Sequence, residues 1–273
     1  MGGLLTAPLP YCGAPPLPGG IWSHWNSDPF LIVVLLALAA VYAISAKRRY
    51  AVPSWRKAAF AAGWFTLSAA LVSPLCPLSV ALFSARVGQH MLLSLIAAPL
   101  LMLGRPEIAF TNLWPKLSRN IAKFGPFNWV TAPIGATLSF TLAIWFWHAP
   151  GPYDATFASP IVYWLMHITV VGSALMVWSV LLNSPPGREV GALAAGAFST
   201  LQMTLLGALI TMTPRPLYAP HALTPYAWGL TQASDQQLGG LIMWVPGCSV
   251  FLAVTLYTLA RTLSEPRPKN ALA

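Results

Sequence analysis

Charge is what this chain has least of. Of 273 residues only 8% are charged, and aspartate and glutamate together number six. A soluble domain of this size carries about a quarter charged residues, so a water-facing shell is excluded. With so few acids, and no nucleophile–base pair or two-carboxylate arrangement legible, hydrolytic and acid–base chemistry are not expected either. Cysteine is nearly as scarce: Cys12, Cys76 and Cys248 form no CxxC, which removes thioredoxin-like chemistry and a thiolate zinc site. Cys12 and Cys76 fall on the same predicted side, where a disulfide is chemically allowed. No lysine or arginine precedes the first apolar stretch, so residues 1–27 do not read as a signal peptide. The five prolines among the first eighteen residues predict an extended segment, ordered where it packs on the rest.

Apolar residues make up 56% of the chain. They fall into stretches at 29–46, 58–74, 83–103, 131–148, 160–182, 191–213 and 236–260. Each approaches or exceeds the roughly 20 residues that cross a hydrocarbon core as a helix. The expected fold is therefore all-α: a polytopic membrane protein with seven transmembrane helices. Its expected parts are a Pro-rich outer segment at 1–28, the helical domain at 29–262 and a tail at 263–273. The longest connections, 104–130 and 214–235, have room for short interfacial helices. Prolines mark many of the span edges, and Pro99 and Pro246 fall inside spans, where kinks are expected.

The net charge of +9 is not a nucleic-acid signal, because its placement alternates. Basic residues follow the first stretch (Lys47, Arg48, Arg49, Arg56, Lys57), the third (Arg105, Lys116, Arg119, Lys123), the fifth (Arg188) and the seventh (Arg261, Arg267, Lys269); only Arg86 and Arg215 lie elsewhere. The positive-inside rule puts the N-terminus outside and the C-terminus in the cytoplasm. On that topology His24, His90, His148, His167 and His221 all lie in outer loops or outer helix ends.

That grouping matters because imidazole is the commonest metal ligand and is costly to hold in lipid. Counting 1.5 Å per residue puts His90 and His167 each roughly 10 Å below the outer edge. His148 closes the fourth span, and Met91, Met166 and Met243 share the same layer. Imidazole with thioether suits Cu(I) and tolerates Cu(II), whereas zinc lacks its thiolates and carboxylates. A pair of histidines at one depth also admits heme, although no CxxCH is present. Retinal is excluded, since no lysine lies in any span. The plainer alternatives are that His90 and His167 hydrogen-bond neighbouring helices, that His148 anchors a helix end, that His24 and His221 are surface residues and that the methionines are packing. Arg86 is expected to pair with Asp235 or to snorkel outward. Asp235 is expected to cap the start of the seventh helix.

The stretch Asp235-Gln236-Gln237-Leu-Gly239-Gly240-Leu-Ile-Met243-Trp244-Val-Pro246-Gly247 resembles the signature of the seven-helix CtaG family, bacterial cytochrome c oxidase assembly factors. Gln89-His90-Met91, Trp147-His148-Ala-Pro150, Met166-His167 and Gly207 through Thr211 agree with it, so the resemblance covers about 80–260. Many relatives carry histidine where this chain has Arg86. The resemblance implies maturation of a heme–copper oxidase in the bacterial cytoplasmic membrane, without catalysis. Copper would be held by His90, His148 and His167 with Met91 or Met166. It would arrive, in this reading, from an extracytoplasmic copper chaperone and pass to an oxidase subunit. Asp235 and Gln236, with Arg86, would form the surrounding layer, the first two orienting imidazole N–H groups. Rival expectations are a metal-free structural chaperone, a copper transporter and a heme-binding redox protein.

Overall fold

Proline sets the helix starts. Lacking an N–H and fixed near helical φ, it suits the first turn, where amides go unpaired in any case. It opens α1 (Pro29–Ser45), α6 (Pro106–Leu113), α7 (Pro115–Ala122), α8 (Pro133–His148), α9 (Pro150–Ala158) and α10 (Pro160–Asn183). The remaining α-helices among the described residues are α2 (Ser54–Val72), α3 (Leu75–Ala81), α4 (Phe83–Met91), α5 (Ala98–Leu103), α11 (Glu189–Met212) and α12 (Gln232–Ser264). A computed structural model describes residues 9–46, 52–122, 132–184 and 187–264, and no strand occurs among them. Lys47, Arg48, Arg49, Lys123, Arg267 and Lys269, on which the expected orientation partly rests, lie outside the described residues, as does most of the tail at 263–273.

Among the described residues four continuous helical runs are long and apolar enough to cross a membrane: Phe83–Leu103, Pro160–Asn183, Glu189–Met212 and Gln232–Ser264. A fifth is formed if α2 and α3, bent by 48° across Ser73-Pro74, count as one. The helices α1 and α8, 17 and 16 residues long, fall short of the usual length. Polarity is arranged as lipid requires. Outward positions such as Phe30, Leu142, Ile161, Leu201 and Val245 are exposed, while Gln89, His90, Ser94, Ser199 and Gln202 are buried. The chain is thus an all-α polytopic membrane protein.

The run Phe83–Leu103 is not uniform. Between α4 and α5 the backbone widens into a π turn at Leu92–Ala97, directly before Pro99. Pro99 has no amide to donate, which leaves a carbonyl one turn back without a partner. The indole of Trp178 on α10 donates to the Ser94 carbonyl at 2.7 Å, supplying that bond from outside the helix. The hydroxyl of Ser94 returns to the His90 carbonyl at 2.6 Å. Pro246, by contrast, sits inside α12 without ending it.

The helices α11 and α12 pack along their length, and glycine sets their separation. A methyl group on Gly240 would stand 2.8 Å from the Thr211 amide and 2.9 Å from the Gly207 carbonyl. The connection expected after the fourth span is itself helical, as α9, and 214–235 contains two short 3-10 turns, Ala219–His221 and Thr224–Trp228. The N-terminal segment lies against the bundle. Asn26 donates from its backbone to Val72 at 2.9 Å and from its side chain to Leu71 at 3.1 Å. Tyr11 donates to the Asp28 carboxylate. Burial and that carboxylate push the Tyr11 hydroxyl up to about 12, so it remains a donor at neutral pH. Cys12 and Cys76 are joined by a disulfide, which ties the segment to α3.

Candidate functional site

Three of the five histidines meet. His90 on α4 stands between His167 on α10, at a ring-centroid distance of 5.3 Å, and His148 at the end of α8, at 6.3 Å. All three are buried. Two of the rings have their tautomer fixed by their own helices. His167 Nδ1–H donates to the Tyr163 carbonyl at 3.0 Å, and His148 Nδ1–H donates to the Ile144 carbonyl at 2.7 Å. A carbonyl can only accept, so in the neutral ring the lone pair sits on Nε2, the arrangement a metal-binding imidazole needs. His167 Nε2 and both ring nitrogens of His90 are buried without a hydrogen-bond partner among the described residues.

Buried polar atoms are paired in the great majority of cases, so three orphans at one contact require a cause. A shared metal is one. Two imidazoles on a single ion at a metal–nitrogen distance of ~2.0 Å, meeting it at a bent angle, hold their centroids roughly 5 to 6 Å apart, and the His90–His167 separation of 5.3 Å falls in that range. The histidines nevertheless form two pairs with His90 in common. Among the described residues no group of three or more His, Cys, Asp or Glu is arranged to hold a metal. The donor set on offer is a two-imidazole site, suited to an ion content with low coordination, of which Cu(I) is the soft example.

An aromatic and sulfur roof closes one side of the site. Tyr163 packs at a tilt against His167 with centroids 4.2 Å apart and stacks on Tyr11 at 4.7 Å. Its hydroxyl lies 3.3 Å from Cys12 Sγ and 3.6 Å from Cys76 Sγ, and donates, since disulfide sulfurs carry no proton. The sequence reading missed Tyr163; the legible signal was its place four residues before His167, one turn up the same face.

Arg86 neither pairs with Asp235 nor snorkels outward. It is 2% exposed, and its guanidinium lies over the rings of Phe157 at 4.4 Å and Tyr153 at 5.0 Å. Its Nη2 donates to Thr156 Oγ1 and approaches Met166 Sδ at 3.7 Å. The Met166 thioether is therefore engaged by a cation, and Met91 is buried beside His90 in sequence. Residues adjacent on a helix diverge by about 100°, so neither methionine shares a face with its neighbouring histidine.

Asp235 caps a helix, but not its own. Its carboxylate accepts from the amides of Phe83 at 2.7 Å and Ser84 at 3.1 Å and from the Ser84 hydroxyl, closing the start of α4. Gln236 accepts from the Leu217 amide at 2.7 Å and donates to the Ile210 carbonyl at 3.2 Å. Neither residue hydrogen-bonds an imidazole; they hold the helices that carry the histidines. His221, expected at the surface, is buried, with Nε2 at 2.6 Å from the Tyr153 hydroxyl. His24 is exposed and bonds the Gly20 carbonyl.

No curated protein and no solved structure matches the chain. The family of cytochrome c oxidase caa3 assembly factors (Caa3_CtaG) does, over residues 35–265, a range that holds the paired histidines, Arg86 and the Asp235 cap. The chain is a member of the Caa3_CtaG family of cytochrome c oxidase caa3 assembly factors.

Proposed function

We propose that this protein holds copper at His90 and His167 and delivers it to a heme–copper oxidase subunit during assembly. The observation that supports this reading is the 5.3 Å approach of two buried imidazoles that leave His167 Nε2 and both ring nitrogens of His90 without a hydrogen-bond partner among the described residues. His148, 6.3 Å from His90, is a third imidazole within reach, so an ion can exchange one imidazole for another. An incomplete coordination set binds adequately and releases readily, as a delivery protein requires. In this reading the chain crosses the bacterial cytoplasmic membrane seven times, with its N-terminus outside. The site then faces the side where an extracytoplasmic copper chaperone would load it, and the protein performs no catalysis.

Copper content of detergent-purified protein after Cu(I) loading tests the proposal. About one copper per chain, lost in a His90→Ala, His167→Ala double variant, is the expected result. No copper above background, or copper indifferent to the double change, overturns it. A second reading, a metal-free scaffold for an oxidase subunit, is favoured by the absence of a three-donor group among the described residues. It predicts that the double variant restores oxidase activity in a deletion strain as well as the wild type does.

A further inference from the structure

Arg86 is a buried cation that no carboxylate among the described residues neutralises. The one ion pair among the described residues joins Arg105 to Glu107, and Asp235 is committed to the amides of Phe83 and Ser84. Guanidinium stays charged in proteins, and the shell around this one is aromatic and neutral: Tyr153, Phe157, Tyr163, Thr156 and the Met166 thioether. Its Nε is buried with no hydrogen-bond partner among the described residues. Holding an unpaired charge in a low-dielectric interior is costly, so its position is informative.

That position is next to the histidines by two routes. Arg86 lies one turn before His90 on the same face of α4. It also faces Tyr163 at 5.8 Å, and the other neighbour of that ring is His167 at 4.2 Å. A fixed positive charge there repels any cation at the imidazole pair, and repels a divalent ion twice as strongly as a monovalent one. At roughly 10 Å and an effective dielectric near 20, each extra unit of charge lowers affinity by about tenfold or more.

We infer that Arg86 is the selectivity residue of the His90–His167 site, admitting a monovalent soft cation, Cu(I), and rejecting divalent ions such as Zn(II). This rests on the copper reading above. It also accounts for Met166: the thioether engaged by Arg86 is withheld from the metal, which keeps the site at two imidazoles and the ion releasable. The same charge that discriminates against Zn(II) weakens Cu(I) holding, so selectivity and release have one cause.

The test is the ratio of Cu(I) to Zn(II) affinity, measured by chelator competition on purified protein in a Met166→Leu background so that a freed thioether does not contribute. Arg86→Gln should raise Zn(II) affinity at least tenfold relative to Cu(I). Arg86→Lys, which keeps the charge, should leave the ratio near that of Arg86 itself. A purely structural role would move both affinities together and leave the ratio unchanged, which overturns the inference while the copper reading stands. Wild-type protein that binds neither ion at His90 and His167 overturns both. Should Arg86→Gln fail to accumulate, the wild-type chain decides alone: it must take Cu(I) in preference to equimolar Zn(II), and equal uptake sinks the assignment.

Discussion

The carboxylate of Asp235, in the first turn of α12, closes the amino end of α4 by accepting the Phe83 amide at 2.7 Å. One helix thereby supplies the cap of another, and the start of the helix that carries His90 is fixed by α12. Asp235 is buried, so removing its side chain leaves two amides and a hydroxyl without acceptors. Asp235→Ala is expected to cost about 2 kcal/mol, seen as a lower melting temperature in detergent. Asp235→Asn, which keeps one acceptor oxygen, should lose less. Equal losses would mean the cap is not what the carboxylate contributes.

The Cys12–Cys76 disulfide, whose ends are separated by 64 in sequence, holds the N-terminal segment over Tyr163. In the chain-entropy picture a crosslink of that span is worth about 4 kcal/mol. Cys12→Ser or a dithiol reductant should expose the peptide bonds around Tyr11 to protease while the cuts elsewhere stay the same. An unchanged digestion pattern would show that the contacts of Tyr11 and Asn26 suffice without the bridge.

His221 is buried against Tyr153, and burial, with the charge of Arg86 adding to it, pushes the imidazole down to about 3. Its usual value is near 6.5, so the folded state prefers the neutral ring. The stability this contributes is complete above pH 6.5 and declines as the pH falls from there toward 3. His221→Phe should therefore lose less melting temperature between pH 7 and pH 4 than the wild type does. A steeper acid dependence in the variant would contradict the assignment.

Gly240 permits the contact between α11 and α12. Gly240→Ala would drive a methyl to 2.8 Å from the Thr211 amide, a backbone atom that cannot rotate away. Overpacking of this kind costs about 1–3 kcal/mol, and accumulation of the folded protein should fall. The control is Gly172→Ala, since nothing lies within 4 Å of a methyl placed there. Comparable losses at both positions would place the cost in helix propensity or lipid contact instead.

The Trp178 indole caps the carbonyl left over below Pro99. Trp178→Phe keeps an aromatic ring but removes the donor, and an orphaned buried carbonyl costs about 1–3 kcal/mol. Because Ser94 also bonds the His90 carbonyl, this change should lower Cu(I) affinity along with stability. Lost stability with copper binding intact would separate the π turn from the site.

Composition determined that the chain belongs in a bilayer, because 8% charge cannot solvate a globule of this length, and the length of its apolar stretches pointed to helices. Apolar stretches and proline edges located the long helices to within a few residues, since proline cannot continue a helix and lipid demands length. Rise per residue put His90 and His167 at one depth. Rotation about the helix axis was not legible, because within a membrane nearly every face of a helix is apolar. Only the tertiary structure turned His90 toward His167, set Arg86 among aromatic rings instead of beside Asp235, and sent Asp235 to another helix. Those outcomes depend on which buried groups find a partner, and each partner lies on an element far away in the chain.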